Sequence, residues 1–77
     1  MSVLTEDYLK KNGFSEYDGG FYKQIGNICI RLVKNGEMYI PSIVTQDDKT
    51  IPCIKIYEIE EFEEFLKFVE RFLVFNL

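Results

Sequence analysis

From Ile59 to Leu77 the apolar residues of this chain fall into two helical stripes where one would be enough. Ile59, Phe62, Leu66, Val69 and Leu73 follow a 3-4-3-4 spacing, and Phe65, Phe68, Phe72 and Phe75 follow a second spacing beside it. At about 100° per residue the two stripes cover an arc of about 200°, whereas a surface helix needs only about half of that to face its own core. The first stripe is expected to meet the chain's own sheet. The second is a candidate interface, with Phe65, Phe68, Phe72 and Phe75 as its residues and a second copy of the chain as the simplest partner.

The 77 residues make one domain with a single modest core, and a chain this short is marginal unless further burial is added. Oligomerisation is a common source of that burial. A composition of 47% hydrophobic and 29% charged residues describes a globular chain. Charge is unevenly placed: up to Tyr57 the acids and bases balance, so the net charge of −4 lies wholly in the last segment, where Glu58, Glu60, Glu61, Glu63, Glu64 and Glu70 outnumber Lys67 and Arg71. That segment repels nucleic acid, and no basic stripe elsewhere would track phosphates. No apolar run approaches a membrane span, and no signal peptide opens the chain, so a cytoplasmic setting is expected in which Cys29 and Cys53 stay reduced as packing residues.

Residues 4–14 read as a two-turn helix with both ends specified. Thr5 is the N-cap, Leu4 and Leu9 form a hydrophobic staple, and Glu6 and Asp7 sit at the positive end of the dipole. Gly13 supplies a left-handed residue after the helix, and Phe14 closes back on Leu9. Short β-rich runs follow at 14–17, 21–25, 28–34, 37–44 and 50–56, separated by turn residues. Such short connections force an antiparallel meander.

A two-residue turn at Asn35-Gly36 would pair Lys34 with Glu37, Leu32 with Tyr39, Ile30 with Pro41 and Ile28 with Ile43. One face of that hairpin is almost wholly apolar, and this face should meet the long helix. Pro41 strains the register, because position 41 should then donate an N–H that proline lacks. Either the ladder with 28–34 breaks near Pro41 or the turn is not two residues. The closing helix is expected from about Glu58 to about Phe75, with Glu63 and Lys67 as an i,i+4 ion pair.

Chemistry is sparsely represented. The chain has no histidine, which removes the commonest general base and metal ligand, and its glycines fit no phosphate-binding loop. Glu60 and Glu64 could together approach a cation, yet two carboxylates fall short of the six to eight oxygens that calcium takes. No catalytic, metal or cofactor residue is assigned. Of the five tyrosines, Tyr17 and Tyr22 flank one glycine turn and are the first place to look for an exposed aromatic patch.

On Leu4-Thr5, Leu9, Asn12-Gly13-Phe14, the aromatic short strands and the spaced Ile59, Phe62 and Leu66, the chain resembles a group of small proteins of gut anaerobic bacteria without assigned activity, often carried on phage-like or other mobile elements. Those relatives commonly carry histidine and glutamine where this chain has Glu58, Glu60, Glu61, Glu63 and Glu64, and the resemblance implies no activity, cofactor or catalytic residue. The expected fold is α+β: a short N-terminal helix, an antiparallel four- to five-stranded meander and a long C-terminal helix packed on one sheet face. The expected function is that of a non-enzymatic homodimer, an interaction or modulatory factor with a still unidentified protein partner. The competing reading is a small-molecule or metal-binding protein, or an enzyme, with its site between sheet and helix or at the dimer seam.

Overall fold

The first helix, α1 (Glu6–Lys11), forms as its caps dictate. The Thr5 hydroxyl accepts the backbone N–H of Tyr8 at 3.2 Å, and Leu4 and Leu9 are both buried. At the other end Gly13 holds a φ of +87°, while Phe14 N–H donates to the Leu9 carbonyl at 3.0 Å and Gly13 N–H to that of Lys10 at 3.1 Å. These two bonds define a Schellman cap. In the computed structural model the described residues are 2–74, with side chains through Arg71.

Five strands follow, β1 (Ser15–Tyr17), β2 (Gly20–Ile25), β3 (Ile28–Asn35), β4 (Met38–Val44) and β5 (Thr50–Pro52), in one antiparallel sheet whose spatial order is the chain order. The fold is α+β, a short helix, a five-stranded meander and a C-terminal helix, α2 (Ile59–Phe68). No helix among the described residues is long and apolar enough to cross a membrane.

The β3–β4 register differs from the one expected. Asn35 pairs with Met38 and Leu32 with Pro41, so the turn is Gly36-Glu37 and every partner is two residues further on. Gly36 has φ +65° at the first central position, which a type II′ turn gives to glycine. Pro41 explains the choice. In this register it occupies a position that does not exchange hydrogen bonds with β3, so its missing N–H costs that ladder nothing and the ladder runs through unbroken. A shift of two residues also leaves every side chain on the face it had, so Ile28, Ile30, Leu32, Tyr39 and Ile43 still form one buried surface.

The vacant N–H of Pro41 faces β5 instead, and there the sheet is interrupted. The strand expected over 50–56 ends at Pro52. Ser42 pairs with Pro52 but Tyr39 with Ile56, so three steps along β4 are matched by four along the outer segment. The extra residue makes a bulge at Cys53-Ile54-Lys55. Beyond it Ile56 and Tyr39 exchange backbone bonds of 2.7 and 2.8 Å, and the chain then pairs with residues 2–4 through Leu4 N–H to Tyr57 O at 3.0 Å and Ile59 N–H to Ser2 O at 2.8 Å. The start of α2 is thereby fixed between β4 and the N-terminal segment.

Phe62 and Val69 are fully buried in the same cluster as Ile30, Leu32, Ile43, Leu9 and Phe14, and the rings of Phe14 and Phe62 meet edge to face at 5.5 Å. The Glu63–Lys67 pair is not formed. Glu63 accepts instead from the Tyr8 hydroxyl at 2.8 Å, a bond between α1 and α2. The opposite sheet face, with Tyr17, Tyr22, Cys29, Arg31, Val33 and Val44, is not part of the buried cluster.

Candidate functional site

Counted at about 100° per residue from the fully buried Phe62, Leu66 lies about 40° round the helix, Ile59 and Phe65 about 60° to either side, and Phe68 about 120° away. Burial follows those angles: Ile59, Phe65 and Leu66 are partly buried against the core, while Phe68 is 51% exposed. Among the described residues, the first stripe turns inward from Ile59 to Val69, and the second opens from Phe65 to Phe68.

Phe65 and Phe68 do not stand alone. With Cys53, Ile54, Lys55 and Ile56 on one side and Glu61 and Glu64 on the other, they line a groove of about 490 Å³ between the bulge and α2. Ile54, at the crest of the bulge, is 88% exposed. It was not among the interface residues read from sequence, because its exposure arises from the interrupted pairing of β5 and not from any periodicity. Pro52 is the signal that could have found it, since alternation past a proline in an outer strand need not continue.

The chain continues from Phe68 as a π-helix, Val69–Val74, with i→i+5 bonding, so the α-helical 3-4 spacing does not hold over that segment. The side chain of Phe72 and the whole of Phe75 lie outside the described residues.

Electrostatics at the groove are structural. The Glu61 carboxylate accepts the backbone N–H of Glu58 at 2.9 Å and of Tyr57 at 3.0 Å, which caps α2 and holds its pKa below the ordinary glutamate range. Burial pushes the Cys53 thiol upward, which makes it a poorer nucleophile. Both cysteines are free thiols, each half-buried. Among the described residues no group of three or more acidic or thiol side chains is placed to hold a metal ion.

A second concavity, of about 360 Å³, lies on the open sheet face and is lined by Tyr17, Tyr22, Cys29, Arg31 and Val44. Tyr17 and Tyr22 meet edge to face at 5.7 Å, and the Arg31 guanidinium lies 5.6 Å from the Tyr17 ring centre. Tyr17 on β1 reaches Arg31 on β3 because its partner on the intervening strand is Gly20, which has no side chain to stand between them. The aromatic patch expected at this glycine turn is therefore present, with Tyr22 42% exposed.

No family model, curated protein or solved structure matches this chain.

Proposed function

We propose that the protein is a non-enzymatic interaction module that self-associates through the groove between the Ile54 bulge and α2. The observation that carries this reading is the pairing of an 88% exposed Ile54 with a 51% exposed Phe68 across one apolar concavity. Such a surface is self-complementary: a projecting aliphatic residue stands beside the hollow it would fill in a second copy related by a two-fold axis. The rim supports the same geometry, since Lys55 borders one side of the groove and Glu61 and Glu64 the other, so a two-fold operation sets opposite charges facing each other. Burying a residue such as Ile or Phe fully contributes roughly 1.5–3 kcal/mol, a large share of what a domain of this size has in total.

A ligand site between sheet and helix has less in its favour. Ile30, Leu32, Phe62 and Val69, the residues that would line it, are each wholly buried and packed in one cluster.

Paired substitutions test the proposal. Ile54→Glu and Phe68→Glu each change an exposed residue, and each is expected to keep the circular dichroism of the fold while shifting the sedimentation coefficient at tens of micromolar, on the order of usual self-association constants, to that of one chain. If both variants sediment as the unaltered protein does, the groove is not an interface.

A further inference from the structure

We propose that the open face of the sheet binds a small planar aromatic anion, its ring against Tyr17 and Tyr22 and its carboxylate or phosphate on Arg31. Charge on this face is singular. By the strand registers, Arg31 is the one charged residue among the strand residues that share its side of the sheet, and it is absent from the ion pairs described among these residues, Lys10–Glu16, Lys34–Glu6 and Lys49–Asp47. An arginine whose nearest described partner is an aromatic ring keeps its fork of N–H donors available, and that fork matches the two oxygens of a carboxylate or phosphate.

The walls select the rest of the ligand. Tyr17 presents its ring both to Tyr22 and to Arg31, and the 42% exposed Tyr22 offers a further ring surface in the same cleft. Val44 and Cys29, cross-strand partners on β4 and β3, close the far side with apolar surface. A volume of about 360 Å³ stands at the lower end of small-ligand sites and accommodates one or two fused rings. The concavity lies on the sheet face away from the buried cluster and the α2 groove, so binding here does not depend on self-association.

The test is an NMR titration of the isotope-labelled full chain with naphthoate and with naphthyl phosphate, using uncharged naphthamide as the control. The proposal expects saturable amide shifts at Tyr22, Cys29, Arg31 and Val44 with a dissociation constant of roughly a millimolar or tighter. Arg31→Gln, a change at an exposed side chain, is expected to leave the melting temperature unchanged and to weaken both anions about tenfold or more, and naphthamide is expected to bind the unaltered chain more weakly by a similar factor. The two anions report separately whether carboxylate or phosphate is preferred. Absence of saturable shifts, equal binding by Arg31→Gln, or shifts confined to the α2 groove overturns the proposal. So does binding of a single-stranded oligothymidylate to this face when neither small anion binds.

Discussion

The Tyr8 hydroxyl donates to the Glu63 carboxylate at 2.8 Å, joining the two helices across 55 positions of sequence. This bond, and after it burial, raises the Tyr8 pKa, because ionising the phenol would set two anions against each other. Tyr39 shifts the same way for a different reason, burial of its ring beneath the sheet face. A tyrosine whose pKa is raised on folding contributes stability that is complete below its unfolded value, near 10, and is lost as pH climbs through the folded value. Stability is therefore expected to fall above pH of about 10, and Tyr8→Phe to make that fall shallower in denaturant melts taken across the alkaline range. An unaltered alkaline slope would show that the bond does not persist in solution.

The acid limb has the opposite sign. Glu61, held low first by the Glu58 N–H and then by that of Tyr57, contributes stability that is complete above the unfolded value, about 4.3, and is lost as pH falls through the lower folded value. Glu61→Gln is expected to lower the denaturation midpoint at neutral pH and to leave it nearly unchanged at acid pH, where the carboxylate of the parent is protonated too.

Two glycines resist replacement for unrelated reasons. Gly13 holds φ at +87°, so Gly13→Ala should cost about 1 kcal/mol in backbone strain, with only the flexible end of Lys23 near the added methyl. Gly20 is not held at a positive φ but is buried, and a Cβ there would run into the carbonyl oxygen of Leu32 on the neighbouring strand. Gly20→Ala should therefore force β2 from β3 and cost roughly 1–3 kcal/mol, more than Gly13→Ala. Chemical melts of the two variants side by side check the order.

What could be read from sequence divides along physical lines. The caps of α1 depend on neighbours within ten residues, and Thr5, Leu9, Gly13 and Phe14 all act as their order in the chain implies. The inward and outward faces of β3 and β4 were legible too, but their register was not. Two registers that differ by two residues bury the same side chains, so the hydrophobic pattern cannot separate them, and only the missing N–H of Pro41 does. Phe65 and Phe68 followed from helical spacing over two turns. Ile54 did not, because a bulge is the joint product of β4 and β5, and no local pattern announces it. The backbone at Phe72 belongs to a segment, Val69–Val74, that turns with a period different from the α-helical one, and Phe75 lies outside the described residues.

Removing the Phe62 ring tests the packing beneath the groove. Phe62 is fully buried among Tyr8, Phe14 and the sheet residues, with ring centres at 6.0 Å and 5.5 Å from the two aromatic neighbours. Phe62→Ala should cost roughly 3–5 kcal/mol, enough to unfold most of so small a domain at 37 °C. Phe68→Ala, by contrast, should leave the unfolding of a dilute sample nearly unchanged, and a large loss there would place Phe68 in the chain's own core.

The native mass in solution bears most directly on the proposed function. Light scattering of the unaltered protein at tens of micromolar, a range in which a micromolar association is largely complete, should return the mass of two chains. A mass of one chain, 9.1 kDa, across that range would contradict self-association through Ile54, Phe65 and Phe68.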